Sequence, residues 1–238
     1  MSAPMFHEPP VHSHAASPRG CQVKICGVTT ADDARLCHVA GAHLLGVILA
    51  PSPRRITAEQ ARAIRAAVPR ARLVGVVTDF APDRLAPLVA ATGVDLLQLH
   101  GCADPAVWCQ VATACACPVL PAVTADQAGA AVAGYLELAD ADRQGVHGLL
   151  MDLPKSRGGA PTGRQALWRA ARRASEACVP VLLAGSLDHR GVPAAFAAAQ
   201  PLGVDVCRGT ERAPGRKDPE LVRRVIAAAR ALEVPRAS

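Results

Sequence analysis

The chain is poor in aromatic residues: 3% of its 238 residues, with three Phe, two Trp and one Tyr. That leaves few platforms on which bases could stack, and it argues against nucleic-acid binding even though the formal charge is +6. No apolar run approaches the roughly 18 residues that a membrane helix needs, so no membrane span is expected. The opening segment, MSAPMFHEPPVHSHAASPRG, has no apolar core of the kind a secretory signal carries. The nine cysteines are odd in number and contain no C-x-x-C pair, which speaks against a disulfide framework or a thiolate metal site. They read as thiols in a reducing, cytoplasmic setting. Also absent is a G-x-G-x-x-G turn after the first strand-like run, where Cys26-Gly27-Val28-Thr29-Thr30 stands instead. A doubly wound dinucleotide fold would favour that turn.

What is present is apolar material and rhythm. Half of the residues are hydrophobic, enough for a sizeable core, and it must be built from Val, Leu, Ile and Ala. Residues 1–20, rich in Pro, Ser and His, read as a disordered arm, with His7, His12 and His14 in solvent rather than on a metal. From Cys21 to the end at 238 the chain reads as one domain. Short apolar runs at 22–26, 43–49, 72–78, 93–100, 117–123, 145–152, 179–186 and 203–207 have the length and composition of buried parallel strands. Between and after them lie helical stretches near 30–40, 57–68, 81–92, 104–115, 124–138, 163–177, 188–199 and 218–232, with Thr57 and Asp188 as caps. Eight strand–helix units in this length predict an α/β fold, a single (β/α)₈ TIM barrel.

In such a barrel the chemistry sits at the C-terminal ends of the strands, so the last residues of each run are the ones to read. The first run ends Lys24-Ile25-Cys26, and alternation puts Lys24 and Cys26 on one face. Two readings of Cys26 stand: a small buried hydrophobe, or a thiol made acidic by a nearby cation and able to act as a base. The sixth run ends in Asp152. A carboxylate there is either a general acid with a raised pKa or a cap or ion-pair partner for the next loop. Gly185-Ser186 and Arg208-Gly209 follow the seventh and eighth runs. As a pair, these loops suit a phosphate held by backbone N–H groups and a guanidinium. Arg54, in the loop after the second run, suits a substrate carboxylate; Gln98 and His100, ending the fourth, are candidate substrate contacts.

Taken together, KICGVT at 24–29, SPR at 52–54, GVDLLQLHG at 93–101, LLMD at 149–152 with Gly158-Gly159 beyond, LAGSL at 183–187, and GVDV with GTERAPGRKD within 203–218 are similar to the phosphoribosylanthranilate isomerase family of tryptophan biosynthesis. The resemblance covers about residues 21–232. It implies an Amadori rearrangement of N-(5′-phosphoribosyl)anthranilate, a small anionic phosphosugar, by a monomer or homodimer with no cofactor and no metal. Under it, Cys26 is the general base and Asp152 the general acid. Arg54 meets the anthranilate carboxylate, Asp205 lies near the amino group, and Gln98 and His100 line the site. Gly159, Gly185, Ser186, Arg208 and Gly209 surround the phosphate. The sequence departs from the family pattern at Ser186, at Cys207-Arg208 and at Ala160-Pro161, all near the expected phosphate and lid region. Those departures keep two other functions in view: a paralogue acting on a related anionic aminosugar or aromatic amine, and a non-catalytic binding barrel.

Overall fold

The computed structural model describes residues 20–154 and 161–232. The expected arm at 1–20 lies, but for Gly20, outside them. Eight parallel strands close into a barrel in sequence order: β1 Gln22–Cys26, β2 Leu44–Ile48, β3 Arg72–Val77, β4 Leu96–His100, β5 Val119–Val123, β6 Leu149–Met151, β7 Val181–Leu183 and β8 Gly203–Val206. The ring closes through β1 and β8, where Lys24 pairs with Asp205 and Ile25 with Val206. Helices α1 Ala31–Ala40, α2 Ala58–Ala67, α3 Pro82–Thr92, α4 Pro105–Cys115, α5 Ala128–Glu137, α6 Asp140–Gln144, α7 Pro161–Glu176, α8 Gly191–Ala199 and α9 Pro219–Arg230 follow the strands.

Local chemistry sets many of these boundaries. Thr57 and Gln60 make a reciprocal capping box at the start of α2. Asp104 and Asp218 each cap a helix whose first residue is proline, where the missing N–H costs nothing. Gly41 and Gly93 end α1 and α3 in the left-handed conformation. That turn at Gly93 is why β4 starts at Leu96 rather than at 93. The sixth strand is shorter than the expected 145–152, because Gly148 breaks the extension at a φ of 128°. The seventh stops at Leu183, ahead of the turn that Gly185 and Ser186 make at φ 101° and 57°. Asp188 accepts from the backbone of Arg190 and Gly191, so α8 starts at Gly191, three residues after the expected 188.

Strand alternation separates two apolar layers. Val23, Ile25, Leu45, Leu73, Leu97, Leu149 and Val204 face the helices with the main core. Leu44, Val74, Leu96, Leu120, Ala122, Leu150, Leu182 and Ala184 fill the barrel axis as a second cluster. Removing a side chain such as Leu96, fully buried, would cost about 2–5 kcal/mol. Two features were not expected: the short helix α6 ahead of β6, and, after β8, a 3₁₀ turn at Arg208–Thr210 that leads into a small hairpin, Glu211–Ala213 against Arg216–Lys217. The hairpin is tied back to the first loop, because Thr29 donates to the Gly215 carbonyl and the Lys217 N–H donates to Asp33. All nine cysteines are free thiols.

Candidate active site

The apolar axis gives way to polar side chains at the C-terminal end of the barrel. Lys24, with no exposed surface, points inward from β1 and donates to Asp205 on β8 at 3.0 Å. Two such charges are buried at a net advantage only when they are paired. Burial alone would lower the Lys24 pKa; Asp205 and then Cys26 outweigh it and raise the value above the ordinary ammonium range.

Cys26 lies one inward step above Lys24 and is buried. Its pKa is lowered from the ordinary 9.0. The largest cause is a hydrogen bond from the Cys207 thiol; burial opposes it, and the Lys24 ammonium adds to it. Cys207 is correspondingly raised, since it keeps the proton that the pair shares. Space for this pair comes from β2: a Cβ on Gly46 would lie 2.9 Å from the Cys26 sulfur and 3.1 Å from the Lys24 Nζ.

A second ion network stands beside it. Arg54 donates through Nε and Nη2 to both oxygens of Glu211, at 2.7–3.0 Å. Glu211 also meets Lys217 at 3.3 Å. Burial works to raise the Glu211 pKa, but the Arg54 fork and the Lys217 charge hold it below the usual carboxylate range. Lys217 is buried too, and its Nζ donates to the Cys26 carbonyl at 2.6 Å and to Thr210 Oγ1 at 3.1 Å. The hairpin thereby fastens the ends of β1 and β8 together.

Across the ring, Asp152 follows β6 and accepts from the Leu153 N–H at 2.7 Å. It opens onto a cavity of about 500 Å³ lined also by Asp126, Leu153, Leu167, Arg169 and Arg173, and Cys26 is not among the lining residues. Gln98 is 3% exposed, and its Oε1 is buried with no hydrogen-bond partner among the described residues. A buried acceptor without a partner is uncommon in a folded interior. His100 ends β4 on the same inward-facing set.

The two expected phosphate loops do meet. Arg208 donates to Ser186 Oγ at 2.6 Å. A Cβ on Gly209 would fall 2.2 Å from the Leu187 carbonyl, so glycine is what lets the loop after β8 press against the loop after β7. Gly185 is in the left-handed region and packs against Leu153 and Leu167. Gly159 lies outside the described residues. Among the described residues no cluster suited to a metal ion occurs, and no helix is long and apolar enough to cross a membrane.

Sequence reading therefore placed Cys26 and Asp152 at or next to strand ends but missed Gly46, Glu211 and Lys217. Alternation had already put Lys24 beside Cys26, and only the Asp205 pairing was hidden. Glu211 and Lys217 lie in the GTERAPGRKD motif, but nothing local marked what they touch, because their partners are 157 and 191 residues away.

A family model described as N-(5′-phosphoribosyl)anthranilate isomerase matches residues 23–228. The chain belongs to the phosphoribosylanthranilate isomerase family. Among curated relatives of that name, one from Halobacterium salinarum is 36% identical over 222 residues, covering 90% of this chain and 98% of its own. One from Desulforudis audaxviator is 38% identical over 211 residues, covering 87% and 97%. The solved phosphoribosylanthranilate isomerase of Thermotoga maritima superposes with a TM-score of 0.75 at 26% identity, covering 89% of this chain and all of its own. Another isomerase structure, a complex with reduced 1-(o-carboxyphenylamino)-1-deoxyribulose 5-phosphate, superposes with a TM-score of 0.73 at 25% identity, again over 89% of this chain and all of its own. Like other members of the phosphoribosylanthranilate isomerase family, this chain is an enzyme of the aldose–ketose isomerase type.

Proposed function

We propose that the chain converts N-(5′-phosphoribosyl)anthranilate to 1-(2-carboxyphenylamino)-1-deoxyribulose 5-phosphate by general acid–base catalysis. The observation that supports this reading is a buried thiol that ends β1 above the Lys24–Asp205 pair and a carboxyl group directly after β6, both at the C-terminal end of one barrel. Asp152 protonates the furanose ring oxygen. The C1′–O bond breaks as the anilino nitrogen lone pair forms a C1′=N bond. Cys26, as thiolate, then removes the C2′ proton, and the released electron pair makes the C1′=C2′ enolamine. Protonation at C1′ with loss of the C2′ hydroxyl proton then gives the C2′ ketone. No net electrons enter or leave, so the two groups suffice.

Substrate contacts follow from the same surroundings. Glu211 holds one edge of the Arg54 guanidinium, and the other edge is offered to the anthranilate carboxylate. The unpartnered Gln98 Oε1 accepts from a substrate N–H or O–H. Asp205 serves the anilino nitrogen while neutralised by Lys24. The backbone around Gly185 and Gly209, together with Ser186 and Arg208, receives the phosphate. The Arg208–Ser186 contact also favours one second reading, a related anionic aminosugar, since it replaces plain backbone N–H groups with a charged side chain.

The test is turnover of freshly made phosphoribosylanthranilate by the purified chain, with loss of its fluorescence and the product mass as readouts. Conversion is expected. A folded chain that leaves the substrate unchanged overturns the reading and moves attention to the related substrates.

A further inference from the structure

Cys26 and Cys207 stand one step past the last paired residues of β1 and β8, Ile25 and Val206. Two residues earlier in the same register, Lys24 and Asp205 meet side chain to side chain inside the barrel. The same register carries on to the cysteines, where the Cys207 thiol also donates to Glu211 Oε1 at 3.8 Å, and the two thiols shift each other's pKa in opposite directions. Gly27 and Gly46 press in from either side: a Cβ on Gly27 would lie 2.9 Å from the Cys207 sulfur, and one on Gly46 2.9 Å from that of Cys26. Neighbouring strands run about 4.8 Å apart, inside the roughly 4.4–6.8 Å between Cα atoms that a disulfide spans.

We propose that Cys26 and Cys207 form a built-in oxidation site that closes to a disulfide when the enzyme meets a peroxide. The Cys26 thiolate attacks one peroxide oxygen; the O–O bond breaks, hydroxide leaves, and the sulfur is oxidised to sulfenic acid. The Cys207 sulfur then attacks the sulfenic sulfur. The S–O bond breaks, the hydroxyl departs with the Cys207 proton as water, and the S–S bond forms. Two thiols have lost two electrons to one peroxide. A dithiol reductant reverses the step by exchange. The consequence for activity rests on the reading of Cys26 as the general base: a sulfur held in a disulfide accepts no proton, so the bridged enzyme is off.

Three of the buried thiols are poorer targets. Burial pushes Cys21, Cys37 and Cys117 up to about 12, which leaves little thiolate at neutral pH. Exposed Cys178 sits ahead of β7, at the opposite end of the barrel. The resolving position of Cys207 also protects Cys26, since bridging diverts the sulfenic acid before further oxidation.

The experiment treats the reduced full chain with a small molar excess of hydrogen peroxide, alkylates the remaining thiols and maps tryptic peptides. Cleavage isolates Cys26 in residues 25–35 and Cys207 in residues 191–208, with no other cysteine in either. The expected product is those two peptides joined and two hydrogens lighter, with turnover falling in step with the joined fraction and returning on dithiothreitol. In Cys207→Ser, measured against its own reduced sample, turnover falls and does not return, and Cys26 is recovered as sulfinic acid. A wild-type map without the joined peptide overturns the proposal. A joined peptide with turnover unchanged overturns its link to catalysis. The peptide map is independent of activity, so a reduced chain that fails to turn over phosphoribosylanthranilate counts against the function alone.

Discussion

Arg54 and Glu211 are joined by three hydrogen bonds of 2.7–3.0 Å, although 157 residues of chain separate them. The contact bridges the loop after β2 to the hairpin after β8. It fixes the guanidinium in one orientation at the barrel mouth, and it supplies the counter-charge for two cations, Arg54 and Lys217.

Glu211→Gln removes that charge and leaves both cations without it. Breaking a buried pair by removing one partner costs about 3–5 kcal/mol. The expected outcome is a fall of that order in unfolding free energy, measured by urea titration, together with a raised KM. Unchanged stability would show that Lys217 finds enough compensation in the carbonyls of Cys26 and Cys207.

Cys26→Ala and Asp152→Asn each remove one proton-transfer group. Each is expected to lower kcat by about 10²–10⁴-fold with the fold intact. Near-wild-type turnover in either variant refutes the assigned role.

A base acts only when deprotonated, so kcat/KM rises with pH through the Cys26 pKa. The hydrogen bond from Cys207, followed by the Lys24 charge, puts that rise below the ordinary thiol value of 9.0. Cys207→Ala removes the bond, and the limb should move to higher pH. A limb that stays in place rules out the thiol pair as its origin.

Arg208→Ala should raise KM and flatten its dependence on salt, leaving kcat near its original value. Arg208 is exposed and bonded to Ser186, so its loss opens no core. A KM that does not change removes Arg208 from the phosphate site.

Gly46→Ala tests packing at the thiol. The added methyl would crowd the Cys26 sulfur and the Lys24 ammonium, at 2.9 and 3.1 Å. Overpacking of this kind typically costs about 1–3 kcal/mol. Turnover is expected to fall further than stability, because the displaced group is the proposed base. Full activity would mean that the strand yields without moving Cys26.

The barrel was legible because its causes are local. Eight apolar runs alternate with helix formers, and a cap such as Thr57 sits next to the helix it starts. Strand ends were less legible. Asp188 could be recognised as a cap, yet its reach to Gly191 shortened α8 by three residues. The hairpin at 211–217 escaped notice because its few residues have no periodicity of their own, and contacts to Thr29 and Asp33 hold it.

The sequence by itself determined the order of the strand–helix units and which side chains of a strand share a face, since a period of two and the turn residues are written in neighbouring residues. It thereby put Cys26, Asp152, Gln98 and His100 at one end of a closed ring. Only the tertiary structure decided who meets whom: Lys24 with Asp205, Arg54 with Glu211, Cys26 with Cys207. Those pairs depend on the register between the first and last strands and on loops that close over it. Coulomb and hydrogen-bond energies depend on distances in space, and residues 181 apart along the chain, as Lys24 and Asp205 are, carry no sequence mark of a 3.0 Å contact.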